Sequence, residues 1–244
     1  MKQDKILILL PVKCNSQRLP GKNLRFINNM SLWTYSYRAA YTFWRSRNGG
    51  CPIGFVVSSE NKDLGNKISS SFFMLRPKWL SEDPYQLKDV ASHVIDEKEI
   101  EGNLPLGYYS TLILVQPSNP FVTSEDIESC YKLFLDNNRR CARSITKTEK
   151  NTMKSFIMIG DTLSPANPAF NRMRDIEEKD MPDTYFGNGS IIVCDVEEFK
   201  REKTLLLENT IGYEMGGIDI DTENDFLLSE LLMKGRKVKW ITTA

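Results

Sequence analysis

The chain begins with a buried strand that runs straight into a basic loop. Residues 6–10 read Ile-Leu-Ile-Leu-Leu, and residues 11–24 combine small and polar side chains with Lys13, Arg18 and Lys22. Such a loop exposes backbone N–H groups beside three positive charges, a combination that suits a polyphosphate. Ligand sites in open α/β sheets lie at strand ends of this kind, so we favour phosphate binding over an ordinary solvated loop.

The loop matches neither of two common nucleotide motifs. Ser16 stands where a Walker A motif has its first glycine, and Asn23 follows Lys22 where a Ser or Thr would contact magnesium. A G-x-G-x-x-G fingerprint is also absent from the sequence, which argues against a nicotinamide enzyme. The expected phosphate site is therefore of another type.

Strand and helix patterns alternate along the chain. Apolar spacing predicts helices at 31–46, 59–69, 87–100, 124–137 and 223–234. Strands are predicted at 5–10, 53–58, 72–75, 111–115, 141–148, 155–159, 190–194 and 218–221. This order predicts an α/β fold with parallel strands and right-handed crossovers, in which the loops at 11–23 and 116–123 meet at one edge.

One domain spanning 1–244 is the simplest organisation, because the sequence has no repeat, low-complexity tract or flexible linker. The segment 161–182 is polar, contains three prolines and lacks clear periodicity. It is long for a connection within a compact domain, which indicates a functional or partner-contacting excursion.

The composition excludes several classes of function. Lys plus Arg and Asp plus Glu balance at 32 each, so bulk charge supports neither nucleic-acid nor anionic-membrane binding. The sequence contains no apolar run near the roughly 18 residues of a membrane span, and we expect no signal peptide. The five cysteines are scattered without a C-x-x-C pair, which favours reduced thiols and a cytoplasmic protein.

An acidic pair, Asp219 and Asp221, lies in the sequence Ile-Asp-Ile-Asp near the end of the chain. In a strand, both side chains would project to the same side. Two carboxylates held that close repel each other unless a cation or hydrogen-bond donors lie between them, and Mg²⁺ would satisfy both. A solvated edge strand with functionless acids fits this spacing equally well.

Five blocks, in order, resemble the CMP-sugar synthetases, also called acylneuraminate cytidylyltransferases. The loop at 11–23 is similar to their signature P-A-R-x-x-S-K-R-L-P-x-K-N. The other blocks resemble L-R-P-x-x-L-A-x-D at 75–83, L-L-Q-P-T-S-P at 114–120, N-G-A-I at 188–191 and I-D-I-D-T at 218–222. Together they extend over nearly the whole chain.

The resemblance implies a Rossmann-like nucleotidyltransferase fold, with a mostly parallel sheet flanked by helices. It implies a Mg²⁺-dependent reaction in which CTP and a 2-keto-3-deoxy sugar acid, such as N-acetylneuraminate or a related nonulosonic acid, give a CMP-sugar and pyrophosphate. Such activated sugars serve cell-surface polysaccharide synthesis. It also implies a homodimer, in which an excursion at 145–185 closes the partner's sugar pocket.

The resemblance assigns roles to individual residues. Catalysis would fall to Lys22, Asp219 and Asp221, the two aspartates by holding Mg²⁺. Two residues would lie on the sugar side, Gln116 and Asn188. The nucleotide would be bound by Lys13, Ser16, Arg18, Lys22, Asn23, Arg76 and Asp83.

The chain departs from the family pattern at several positions. Lys13 replaces an arginine, Gln17 replaces a lysine, Phe121-Val122 replaces a segment that often carries an arginine, and Glu178 replaces a basic residue. Two alternatives therefore stay open. One is a nucleotidyltransferase for another sugar or base, and the other is a catalytically silent relative that binds nucleotide or a partner.

Overall fold

A computed structural model describes residues 4–47, 53–138, 141–168, 172 and 175–235. Its strands are β1 (Ile6–Pro11), β2 (Phe26–Ile27), β3 (Met30–Ser31), β4 (Ile53–Ser59), β5 (Phe73–Leu75), β6 (Thr111–Val115), β7 (Ala142–Lys147), β8 (Phe156–Ile159), β9 (Thr162–Pro165), β10 (Tyr185–Asp195) and β11 (Ile211–Glu214). Its α-helices are α1 (Leu32–Arg47), α2 (Lys62–Gly65), α3 (Leu87–Glu101), α4 (Ser124–Asp136), α5 (Val196–Glu202) and α6 (Glu223–Lys234).

Seven of these strands form one sheet in the order β11-β7-β10-β6-β1-β4-β5. Strand β1 is central and pairs in parallel with both β4 and β6. Strand β10 is the antiparallel exception, since it runs against both β6 and β7. The predicted α/β fold with a mostly parallel sheet is therefore confirmed.

Helices cover both faces of the sheet, which explains the unbroken apolar run of β1. Ile6, Ile8 and Leu10 pack into the core beneath α1 and α4, whereas Leu7 and Leu9 pack into the core beneath α3 and α5. All five side chains are fully buried. Burial of a side chain of this size stabilises the fold by about 2 kcal/mol.

A third, smaller apolar cluster fastens the basic loop to the C-terminal part of the fold. It joins Leu19 of the loop, Ile27 of β2 and Leu32 of α1 to Ile220 and Phe226. Helix α6 begins just after the acidic pair, and its N-cap Thr222 forms a capping box with Asp225. The cluster and the cap together hold residues 219–221 against the loop.

The predicted strand at 218–221 is wrong. Residues 218–221 lie outside the strands of the structure, and Ile220 donates one backbone hydrogen bond, to the Ser118 carbonyl oxygen at 2.9 Å. Isoleucine and aspartate alternate here because of packing in the third cluster and not because the segment is a strand. Ile220 is fully buried in the third cluster, not on a sheet face.

Several other elements also differ from expectation. The helix expected over 59–69 is confined to Lys62–Gly65, while β11 and α5 were not predicted. The excursion at 161–182 contains β9, which pairs with β8 in an antiparallel hairpin. Within the excursion, residues 169–171 and 173–174 lie outside the described residues. Within the described ranges, no helix is long and apolar enough to cross a membrane.

Candidate active site

A cleft of about 250 Å³ opens at the carboxyl edge of the sheet. The loops after β1 and β6 both contribute to its wall, as predicted from the strand ends. The third contributor is the segment between β5 and α3. Six of the predicted site residues line the cleft, namely Lys13, Ser16, Lys22, Asn23, Arg76 and Gln116.

The basic loop is closed by a turn at Gly21 and by a hydrogen bond between Asn23 and Lys13. Gly21 turns the chain with a φ of 66°, a left-handed conformation that favours glycine, and Lys22 begins a short 3₁₀ turn. The side chain of Asn23 is buried, and its Nδ2 donates to the Lys13 carbonyl oxygen at 2.7 Å. The other polar atom of the amide, Oδ1, is buried and has no hydrogen-bond partner within the described ranges. An acceptor is therefore available at the cleft wall.

Asp221 neutralises two cations of the loop. Its Oδ1 lies 2.8 Å from Nζ of Lys22, and its Oδ2 lies 2.6 Å from Nη1 of Arg18. Lys22 also donates to the carbonyl oxygen of Ile220. The Lys22 side chain is 13% exposed, whereas that of Arg18 is 73% exposed. Lys22 is thus the better shielded of the two from solvent, which strengthens its electrostatic interactions.

Asp219 differs from Asp221 in having a carboxylate oxygen that is fully buried. Burial raises the pKa of the Asp219 carboxyl, and the nearby charge of Asp221 acts in the same direction. A hydrogen bond from Ser118 and the charges of Lys22 and Arg18 oppose this rise without cancelling it. The Oδ1 atom of Asp219 is buried and has no hydrogen-bond partner among the described residues.

The buried oxygen of Asp219 is the kind of group that a hard divalent cation binds. A buried carboxylate oxygen without a partner is unfavourable, and a cation at Asp219 would supply the missing interaction. Across the described residues, no group of three or more His, Cys, Asp and Glu side chains is arranged to hold a metal. Two carboxylates that share an ion with substrate phosphates are nevertheless a donor set that Mg²⁺ accepts.

Glu60, which the sequence analysis did not single out, joins three segments beneath the cleft. It accepts hydrogen bonds from the Cys14 backbone N–H at 2.7 Å, from Nη2 of Arg76 at 2.7 Å and from Oγ of Ser81 at 3.0 Å. Burial acts to raise the pKa of the Glu60 carboxyl, but the Cys14 N–H, Arg76 and Ser81 together hold it below its ordinary value. The basic loop and the segment after β5 are therefore tied to one carboxylate.

Arg76 faces the cleft, but its guanidinium is already engaged. Its Nη1 donates to the Ser58 carbonyl oxygen at 2.8 Å, its Nε donates to Ser81 at 2.9 Å, and its Nη2 contacts Glu60. The residue is 4% exposed. Arg76 therefore shapes the cleft wall and presents little free charge to a ligand.

Gln116 and Asn188, the two residues expected on the sugar side, differ in accessibility. The Gln116 side chain lines the cleft, and its backbone oxygen accepts a hydrogen bond from Ser36 of α1 at 3.0 Å. Asn188 is 3% exposed. Its amide oxygen accepts from Ser144, and its Nδ2 donates to Thr146 at 3.0 Å. Asn188 thus fastens β10 to β7 and does not line the cleft.

Asp83 also lies away from the cleft wall. It is exposed, and its Oδ2 accepts a hydrogen bond from Nε2 of Gln17 at 3.3 Å. This contact links the basic loop to the segment before α3 on the outer surface.

The sequence analysis overlooked Glu60, which follows directly after β4. Applying the strand-end rule to every parallel strand would have identified it as a candidate site residue.

Comparison with known proteins gave related sequences in bacteria. No family model matches the chain. The chain is 26% identical over 244 residues to a CMP-N,N'-diacetyllegionaminic acid synthase of Legionella pneumophila, with 94% of this chain and 97% of that protein covered. It is 23% identical over 237 residues to an N-acylneuraminate cytidylyltransferase of Streptococcus agalactiae. That match covers 91% of this chain and 52% of the relative, so the chain spans about half the relative's length.

A solved structure shares the fold. The CMP:2-keto-3-deoxy-manno-octonic acid synthetase, solved in complex with CTP, superposes with a TM-score of 0.65 at 13% identity. The superposition covers 95% of this chain and 99% of the solved one. At this level of identity the likeness concerns the fold, and it confirms the nucleotidyltransferase fold that the sequence predicted.

Proposed function

We propose that this relative of the CMP-sugar synthetases is a cytidylyltransferase that joins CTP to a 2-keto-3-deoxy sugar acid of the nonulosonic class and releases pyrophosphate. One observation carries the proposal. A cationic loop lines a cleft, and its Lys22 lies 2.8 Å from Asp221 of the acidic pair, although neither aspartate lines the cleft itself. The names of two relatives, matched over more than nine-tenths of this chain, support the choice of CTP and of a sugar acid.

The chemistry is an in-line displacement at the α-phosphorus of CTP. The anomeric hydroxyl of the sugar acid attacks, the bond to the pyrophosphate breaks, and negative charge builds up on the phosphate oxygens. Lys22 is positioned to stabilise this charge from a shielded site, and Lys13 lines the same cleft. The main contributions of the protein are positioning and preorganised charge.

Other residues would orient the two substrates. The unpartnered Oδ1 of Asn23 is a suitable acceptor for a nucleoside hydroxyl. Asp219 and Asp221 would hold Mg²⁺, which supplies charge neutralisation at phosphate oxygens when bound. The buried Oδ1 of Asp219 without a partner is the observation that favours this role.

The test is a pyrophosphate-release assay. CTP, ATP, GTP and UTP are each paired with N-acetylneuraminate, N,N'-diacetyllegionaminic acid and 3-deoxy-manno-octulosonate, in the presence of Mg²⁺ and after chelation. We expect release with CTP and at least one of the acids, and its loss after chelation. Release with ATP, GTP or UTP instead of CTP would favour a nucleotidyltransferase that uses another base. No release in any combination would favour a catalytically silent relative.

Glu60→Gln is expected to weaken CTP binding, because the amide cannot accept hydrogen bonds from Cys14, Arg76 and Ser81 as the carboxylate does. Loss of a hydrogen bond to a charged group costs about 1.5–3 kcal/mol, so we expect a rise in the KM for CTP of roughly 10-fold or more. Steady-state kinetics measures it. Glu82→Gln, an exposed neighbour, serves as the matched control and should behave as wild type.

We also propose a homodimer formed through the excursion. The β8–β9 hairpin exposes a contiguous set of apolar side chains, with exposed fractions from 47% to 70%. They are Phe156, Ile157, Met158, Ile159 and Leu163. An apolar, two-stranded ribbon of this kind is stable when it packs against another surface, and a second copy of the chain is the expected partner.

The double variant Ile157→Asp/Ile159→Asp is expected to be monomeric. The two residues lie on one face of β8, so the substitutions place two charges on the same surface. Light scattering should give a mass near 28.0 kDa for the variant and about twice that for the wild type. Leu106→Asp, at a side chain that is 87% exposed elsewhere, should leave the dimer intact. A wild-type monomer at micromolar concentration would reject the proposed dimer.

A cytoplasmic location is part of the proposal. Four cysteines are free thiols in the structure, and Cys51 lies outside the described residues. Free thiols persist in a reducing compartment, which supports this location.

A further inference from the structure

Arg143 of β7 differs from the cations near the cleft that have a carboxylate partner. Lys22 and Arg18 are paired with Asp221, and Arg76 is paired with Glu60. In the part of the chain that the structure describes, the side chain of Arg143 makes no hydrogen bond or ion pair, and its Nε is buried without a partner there. A buried N–H of a charged group is unfavourable unless an acceptor approaches it.

The strand register puts Arg143 on the same sheet face as Gln116. Arg143 is paired with Ile192 of β10, and Ile192 is paired with Leu114 of β6. Leu114 and Ile192 both belong to the core beneath α3 and α5. Gln116 follows Leu114 by two residues, so its side chain projects from this same face at the carboxyl edge.

The guanidinium of Arg143 extends toward that edge. It lies directly against Gly187 of β10, where a Cβ atom would collide with it. A Cβ atom at Gly189 would in turn lie 3.1 Å from Nε2 of Gln116 and 3.6 Å from Oδ2 of Asp219. Two strand residues span about 7 Å, so the guanidinium of Arg143 and the amide of Gln116 approach β10 at positions two residues apart. The absence of a side chain at Gly187 makes this approach possible.

We propose that Arg143 binds the carboxylate of the sugar acid. This inference rests on the proposed function. The acceptor of that reaction carries a carboxylate, and the side chains expected on the sugar side, Gln116 and Asn188, are both neutral. A guanidinium whose side chain has no partner among the described residues can bind a carboxylate through two parallel hydrogen bonds. Arg143 thereby selects acids over neutral sugars.

The test compares Arg143→Gln and Arg143→Lys with the wild type in the full-length protein. The substrates are CTP, the acid of the panel that the wild type uses best, and the methyl ester of that acid. For Arg143→Gln we expect the KM for the acid to rise roughly 10- to 100-fold, the range for a lost charge-assisted hydrogen bond, with little change in the KM for CTP. Arg143→Lys should restore part of the affinity, because it keeps the charge and loses the planar fork.

The methyl ester separates recognition of the carboxylate from a structural role. The wild type should prefer the acid to the ester, and Arg143→Gln should lose that preference. Arg201→Gln, an exposed arginine on α5, is the matched control and should keep wild-type kinetics. An unchanged KM for the acid in Arg143→Gln, or equal rises for acid and ester, overturns this inference and leaves the proposed function standing. A wild type that turns over none of the acids overturns both.

Discussion

Asp219→Asn is expected to abolish pyrophosphate release while leaving the fold intact. The substitution keeps the shape of the side chain and removes one negative charge from the acidic pair. If Asp219 holds Mg²⁺, the loss should reach about 10³-fold in kcat, equivalent to about 4 kcal/mol of transition-state stabilisation. The carboxylate is buried and its Oδ1 lacks a partner, so its neutralisation should not destabilise the folded protein.

Two measurements on the same samples test this expectation. Turnover at saturating CTP and Mg²⁺ reports the catalytic loss, and thermal unfolding reports stability, where we expect a Tm equal to or above that of the wild type. Asp136→Asn, at an exposed residue on α4, is the control for loss of an aspartate charge and should leave turnover unchanged. Near-normal turnover of Asp219→Asn at saturating Mg²⁺ would contradict the metal assignment.

The local features of the fold could be predicted because they depend on neighbouring residues. The apolar runs of β1 and β6 identify strands that are buried on both faces. Thr123 and Thr222 each begin a helix through a capping box with the residue three positions later, a pattern that is visible in the sequence. The strand-end rule correctly brought together the loops at 11–23 and 116–123.

The features that were missed depend on contacts between distant segments. The alternation around Asp219 has the period of a strand, but Ile220 is instead buried beside Leu19 and Phe226 in the third cluster. The direction of β10 follows from its pairing with β6 and β7, which no local pattern encodes. The position of Glu60 after a strand could have been found from the sequence. Its three partners, Cys14, Arg76 and Ser81, are known only from the three-dimensional structure.

Lys22→Ala is expected to lower kcat/KM for CTP by about 10²-fold or more, the effect of losing one preorganised electrostatic group. Lys22 lies in the cleft wall and is shielded from solvent. Arg18 can still pair with Asp221 in the variant, so the acidic pair keeps one counterion. Lys132→Ala, at an exposed lysine on α4, should leave kcat/KM unchanged.

The ion pair between Lys22 and Asp221 allows a sharper experiment on CTP binding without metal. Asp221 neutralises Lys22 and Arg18, so Asp221→Asn should free both cations and tighten metal-free CTP binding, even though it abolishes turnover. Adding Lys22→Ala to that variant should remove most of the gain, because Lys22 is the shielded cation. Titration calorimetry on the wild type, the two single variants and the double variant measures the coupling. A Lys22→Ala change without effect in either background would mean that Lys22 serves to hold Asp221 and not to bind phosphate.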